Sequence, residues 1–233
     1  MSTAPFFDRQ WASEQLPLPL HYRLLRRWEA TRVDVAARLL PAGDVLLDVG
    51  CGSGELVRRV AERYRRLIAS DVAAATLEDG QARTADPLLR DRIHWKVLDA
   101  NQPLPFADGE ISAVVSISTL QYLFDPEAFL AESFRVIAPG GQLLVEVPNM
   151  AYLPQRLRLL AGRPIRTSYW VHGIDGGNLH YFTVALLSGL IRRVGFDLRQ
   201  VTGSGVFAAL RTWWVSLLCG DVLILAQKPH AAL

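Results

Sequence analysis

The feature that most constrains this chain is an alternation that begins at Asp44 and runs almost to the end. Short apolar runs stand at 44–49 (DVLLDV), 67–72 (LIASDV), 93–98 (IHWKVL), 113–117 (AVVSI), 143–147 (LLVEV) and 221–226 (DVLILA). Their length and β-branched content are those of buried strands. Helical patterns lie between them. In 54–66 the apolar residues Leu56, Val57, Val60, Ala61 and Tyr64 recur at helical spacing. In 184–194 Leu186, Leu187, Leu190, Ile191 and Val194 do the same, and Gly195 supplies a stop. Strands alternating with helices predict a mostly parallel sheet with helices on both faces, the doubly wound α/β architecture.

The rest of the chain qualifies that reading. Half of the 233 residues are hydrophobic, enough for one sizeable core and too few for two ordinary domains with a linker. Basic and acidic residues nearly balance, 25 against 23, so no global field draws the protein to nucleic acid or to an anionic membrane; the expected partner is a small molecule, with a homodimer left open. Cys51 and Cys219 belong to no cluster with metal-ligand spacing, which predicts a reducing compartment and no metal site. The first residues lack the basic and apolar regions of a signal peptide, so a cytoplasmic location is expected. Residues 205–226 are apolar and about as long as a membrane span, but Arg211, Asp221 and the Gly220-Asp221 turn favour a buried helix followed by a core strand. Residues 20–40 read as an amphipathic helix (Leu24, Leu25, Trp28, Val35, Leu39) ended by Pro41-Ala42-Gly43, a candidate lid.

In open α/β sheets ligands bind beyond the carboxyl ends of the strands, at the point where strand order reverses. The first strand-to-helix turn reads Leu47-Asp48-Val49-Gly50-Cys51-Gly52-Ser53-Gly54. Gly50, Gly52 and Gly54 allow a tight turn and close backbone approach to a nucleotide-like ligand. The dinucleotide fingerprint is not met, because Glu55 occupies its last position and would set a carboxylate against a pyrophosphate. Asp48 suits a ligand bearing ammonium and sulfonium groups better than one with two phosphates. Asp71 closes the second strand, twenty-one residues after Gly50, where a carboxylate accepts hydrogen bonds from ribose hydroxyls; its competing role is to cap the helical stretch starting at Ala73.

Residues 46–54 together with Asp71, Asp99 and 138–149 resemble the class I methyltransferases that use S-adenosylmethionine (SAM), and the stretch PLPFADGEISAVVSISTLQYLFDPEAFLAESFRVIAPGGQLLVEVPN carries the strongest match. The later segment, from Pro148-Asn149 to Asn178-Leu179-His180-Tyr181-Phe182-Thr183, is similar to a narrower branch of MetW-like and glycosyltransferase-associated bacterial enzymes. The resemblance implies a Rossmann-like, seven-stranded sheet in one domain: a lid at 1–43, a SAM-binding half at 44–149, a substrate-side insertion after the fifth strand at 150–182, and the rest of the core at 183–233. It implies that Asp99 faces the adenine amino group and Ala100 the ring, and that Val72, Ser116 and Tyr122 join Asp48, Gly50, Cys51, Gly52, Gly54 and Asp71 around SAM or its product S-adenosylhomocysteine; the competing role of Tyr122 is to pack under the lid. Members of the branch often carry a Glu-His pair where this chain has Gln121-Tyr122, so that histidine's role does not transfer.

Because SAM carries an already activated methyl group, such an enzyme mainly aligns a nucleophile and excludes water. Methylating a hydroxyl or an amine still gains from a base, and His180, beside Tyr181 and Phe182 in the insertion, is the candidate; its competing role is to brace the following helix. His172 in the HGIDGG loop and His21 in the lid are alternatives, while His94 lies in a strand and His230 in the tail. Arg156, Arg158, Arg163 and Arg166 are candidates for an anionic substrate or for a solvated face. Two other functions compete with methyl transfer to oxygen or nitrogen of a biosynthetic small molecule. One is a SAM-binding accessory subunit of a partner enzyme, for which an apolar patch around Trp213-Trp214 would be the docking face; the other is an NAD-dependent oxidoreductase, disfavoured by Glu55.

Overall fold

The computed structural model describes residues 29–165 and 178–230. Seven strands form the main sheet: β2 (Gly43–Val49), β3 (Tyr64–Asp71), β4 (Ile93–Val97), β5 (Ile111–Ile117), β6 (Ile137–Pro148), β7 (Asp197–Gly203) and β9 (Asp221–Gln227). Their order is β4-β3-β2-β5-β6-β9-β7. The first five run parallel, and β9 alone runs against both of its neighbours. The expected doubly wound, mostly parallel, seven-stranded sheet is therefore the fold. The chain walks from β2 out to β4, then returns to the other side of β2 with β5, so strand order reverses between β2 and β5.

Period-two alternation divides the strands between two cores. Val45, Leu47, Val49, Val114, Val145 and Ile224 face α5 (Pro126–Val136) and α7 (Val184–Val194) through Phe129, Leu130, Leu187 and Ile191. Leu46, Leu67, Ala69, Val115, Leu144 and Leu223 face α1 (Arg32–Leu39) and α2 (Glu55–Arg59) through Val35, Ala36, Leu56 and Val57. Between β3 and β4 lie α3 (Ala74–Arg83) and α4 (Pro87–Arg92).

Several local expectations are corrected. The candidate lid helix 20–40 lies outside the described residues up to 28, and beyond that it is not continuous. Glu29–Ala30 form a short strand β1 that pairs antiparallel with β8 (Gly205–Val206), and α1 begins afresh after Thr31. A capping box explains the restart: Asp34 N donates to Thr31 Oγ1 at 3.1 Å and Thr31 N donates to Asp34 Oδ2 at 3.0 Å. The helical pattern read over 54–66 stops at Arg59; Ala61–Arg63 make a 3₁₀ turn, and Tyr64 starts β3 with its hydroxyl donating to the Pro41 carbonyl at 2.6 Å. The seventh strand, β7, reads DLRQVTG and is only partly buried, an edge strand without an apolar run to betray it.

The buried helix read at the start of 205–226 is also absent. After β8 come two short helices, α8 (Ala208–Arg211) and α9 (Val215–Leu218), joined by a 3₁₀ turn, with Leu210, Trp213 and Trp214 exposed at 71%, 76% and 50%. The strand expected after them is present as β9. Among the described residues no helix is long and apolar enough to cross a membrane. The ends of 150–182 lie side by side, with Asn149 bridged to Phe182 and Met150 N donating to the Phe182 carbonyl at 2.9 Å; α6 (Leu153–Leu160) is the described helix between them.

Because the capping box satisfies two otherwise orphaned N–H groups, Thr31→Ala should cost about 1 kcal/mol of stability and Thr31→Ser much less. Urea unfolding should show the shift as a lower midpoint at constant slope.

Candidate cofactor and substrate site

The glycine loop leaves β2 at Val49 and leans on the end of β3: the N–H groups of Gly50 and Cys51 both donate to the Ser70 carbonyl, at 2.8 and 2.9 Å. Gly52 N donates to Asp71 Oδ2 at 3.0 Å, and Ala73 N donates to Asp71 Oδ1 at 3.0 Å. Asp71 is thus not the N-cap of α3, a place held by Ala73 without a side-chain cap, but it does tether the approach to that helix. Two glycines are required by contact as well as by backbone. Gly50 has φ +74°, and a Cβ there would lie 2.0 Å from Thr119 Oγ1; Gly54 has φ +73°, and a Cβ there would lie 2.4 Å from the Trp95 ring. The Thr119 contact falls at the β2/β5 reversal of strand order.

Two carboxylates stand on one face beneath this loop. Asp48 pairs in register with Ala69, so the side chains at 48, 69 and 71 share a face. Asp48 is only 2% exposed, and its carboxyl is pushed up to about 7, first by burial and then by the charge of Asp71. Burial, with the charges of Asp48 and Asp71, also raises the Cys51 thiol, so this cysteine is not a poised nucleophile. Carboxyls in such a setting favour a positively charged ligand. The turn also lacks a long phosphate-binding helix, since α2 has five residues and opens with Glu55.

Neighbouring strand ends extend the cleft. Leu98 N donates to the Asp71 carbonyl at 3.0 Å, which brings Asp99 and Ala100, both half-buried, beside Asp71. Asp99 Oδ1 accepts from Asn101 N at 3.0 Å and Asn101 Nδ2 at 2.9 Å, while Asn101 Oδ1 accepts from Phe124 N at 2.7 Å, linking the loops after β4 and β5. Val72 and Tyr122 are half-buried, Val72 directly after β3 and Tyr122 in a 3₁₀ turn after β5. Ser116 departs from the group: Val115 is in register with Asp48, so Ser116 faces the opposite core, where it is fully buried.

His180 lies over the loop after β5. Leu179 N and His180 N donate to the Gln121 carbonyl at 2.9 and 3.1 Å, and the imidazole Nε2 is 3.4 Å from the Phe124 carbonyl. His94 and His230 are exposed, away from the cleft on β4 and the tail, and His21, His172 and Arg166 lie outside the described residues. Arg156 and Arg158 donate to the local carbonyls of Ala151 and Pro164, and Arg163 is exposed. Sequence reasoning passed over Thr119, Trp95 and Asn101, whose roles come from packing across the sheet; the only local hint was their position just after or within strands.

A doubly wound sheet with a glycine loop at its reversal point and acids beneath that loop is an arrangement that can hold a nucleoside carrying a positive group. A methyltransferase domain family, Methyltransf_11, matches residues 47–145. A probable SAM-dependent methyltransferase of Mycolicibacterium smegmatis is 34% identical over 178 residues, covering 76% of this chain and 61% of its own length. A ubiquinone biosynthesis O-methyltransferase of Xanthomonas axonopodis pv. citri is 26% identical over 203 residues, covering 86% and 80%. In fold, a SAM-dependent methyltransferase of Mesorhizobium loti superposes with a TM-score of 0.65 at 18% identity, over 85% of this chain and 99% of that one. Residues 47–145 match a methyltransferase domain, and the sheet has the fold of the class I SAM-dependent methyltransferase superfamily. The cofactor of that superfamily fits the residues present: glycines where a Cβ would collide, and a buried carboxylate suited to a cation.

Raising the pH through about 7 should strengthen SAM binding, because Asp48 must be ionised to stabilise a positive ligand, and binding below that pH should release a proton. Calorimetry in buffers of different ionisation heat should show the release, and Asp48→Asn should abolish it. Gly50→Ala should weaken SAM by at least tenfold in the same measurement.

Proposed function

We propose that this chain is a methyltransferase that holds SAM on the glycine loop and transfers its methyl group to oxygen or nitrogen of a small biosynthetic molecule in the cytoplasm. The observation that carries this reading is the pair of carboxyls, Asp48 and Asp71, on one face beneath a loop that only glycine can form. Asp71 would hold the ribose hydroxyls, since each carboxylate oxygen accepts more than one hydrogen bond. Asp99 and the Ala100 N–H would meet the adenine, and Asp48 the methionine end. When bound, SAM supplies a methyl group already activated on sulfur.

The protein's part is then positioning and exclusion of water. Tyr122 and His180 both stand at the loop after β5. His180 has its backbone pinned to Gln121, so its ring is held over the loop after β5, and a half-buried imidazole there is the candidate to take the acceptor's proton. A second reading, a SAM-binding subunit that supports a partner protein, draws on the exposed Leu210, Trp213 and Trp214.

Asp71→Ala should weaken SAM by about 1 to 3 kcal/mol in calorimetry, the range for a lost charged hydrogen bond, and Asp71→Asn by less. Methyl transfer to a metabolite panel tests the activity. His180→Gln should lower turnover far more than SAM affinity, with the deficit shrinking at high pH; full turnover in the variant would assign His180 to bracing alone.

A further inference from the structure

The carboxyl rim of the sheet carries a second acidic feature on the face shared by Asp48 and Asp71. Glu146, near the end of β6, is fully buried. Ile117 of β5 is its registered partner on one side and Leu223 of β9 on the other, which places it on the Asp48 face. Ser118 follows β5 with φ +52° and brackets Glu146: its N–H donates to the Glu146 carbonyl at 3.1 Å and its hydroxyl to Glu146 Oε2 at 2.7 Å. The other oxygen, Oε1, is buried and takes no hydrogen bond among the described residues. Asp221 lies diagonally across the β6/β9 ladder on the same face, its Oδ2 accepting from the Ser204 hydroxyl at 2.9 Å.

Position across the sheet says what meets this oxygen. On the cofactor reading above, on which this inference rests, adenine lies at β4, ribose at Asp71 of β3, and the methionine end at β2. Strands are about 4.8 Å apart, so the loops after β5 and β6 lie one to two strand spacings beyond the methionine end along the rim. Ser118 is half-buried there and Glu146 lies buried against its hydroxyl, so an acceptor on that side would reach Glu146 past Ser118.

We propose that Glu146, braced by Ser118 and backed by Asp221, is the acceptor-binding residue of this chain, and that the acceptor is an amine whose N–H group completes Oε1. A carboxylate serving the fold alone would have both oxygens satisfied, since an unpaired buried acceptor is costly. Two carboxyls on one face select a cation over a neutral hydroxyl. The groups facing Glu146 are Asp221 from β9, Ser118 after β5 and Arg32 from α1. Burial and then Asp221 raise its carboxyl to about 7 against the lowering effects of Arg32 and Ser118, so an ammonium group would displace its proton near neutrality.

The test uses the whole protein saturated with S-adenosylhomocysteine and titrated with primary amines from methylamine to 2-phenylethylamine, each paired with the alcohol of the same skeleton. At least one amine should bind at least tenfold more tightly than its alcohol, with affinity rising from pH 6 to 8. Glu146→Gln should remove that preference and its pH dependence while S-adenosylhomocysteine still binds; Glu146→Asp should restore part of it. No amine preferred over its alcohol in the unaltered protein, or an unchanged preference in a folded Glu146→Gln variant, would overturn the proposal. If Glu146→Gln does not fold, Ser118→Ala should weaken the amine preference instead, and an undiminished preference there counts against it. Failure of the unaltered protein to bind S-adenosylhomocysteine would overturn the underlying cofactor reading.

Discussion

Asp71 ties three strand ends together. Its carboxylate takes the Gly52 N–H from the turn after β2 and the Ala73 N–H from the turn after β3, while its carbonyl takes the Leu98 N–H from the end of β4. One residue thereby sets how the glycine loop, the start of α3 and the Asp99 loop stand relative to each other. The Gly50 and Cys51 N–H groups, both donating to the Ser70 carbonyl, tie the start of the same loop to the end of β3. With Asp71 in place, Gly50 can lie against Thr119 across the β2/β5 gap, and the ligand-binding rim takes its shape.

The same rim holds two carboxyls that resist ionisation. Asp48 and Glu146 are buried carboxyls raised to about 7, which means each is destabilised in its charged form near neutrality. The apolar layers on both faces, from Val45 and Leu47 on one side to Leu46 and Val115 on the other, supply the stability that tolerates them. A sheet that concentrates acids on one face at one edge is built to meet positive charge there, and that agrees with a sulfonium cofactor better than with a pyrophosphate.

Much of this was legible in the chain. Six of the seven main strands announce themselves as apolar runs, and the glycine loop with Asp71 twenty-one residues beyond Gly50 marks the ligand end. Other parts were hidden for identifiable reasons. β7 is an edge strand in which only Gly203 is fully buried, so its sequence carries no apolar run. The helical period of 20–40 ran across Thr31 because hydrophobic spacing does not register a capping box, although Thr31 and Asp34 stand at its required separation. Residues 205–226 read as a buried helix and a strand because the run is apolar; the helical part is instead broken into short pieces, with Trp213 and Trp214 in an exposed 3₁₀ turn between them.

What the sequence by itself determined was local: which segments extend, where the backbone must turn through left-handed glycines, and which carboxylate closes the second strand, since each depends on residues only a few positions apart. The tertiary structure alone decided the contacts between distant segments. Thr119 lies under Gly50, Ser118 holds Glu146, and Gln121 anchors His180 because strand order and register bring these loops to one rim. Glu146 shows the difference most clearly. In the run LLVEV it is one charged letter in an apolar strand, and only the pairing of β6 with β5 and β9 determines which face it occupies and which groups it meets.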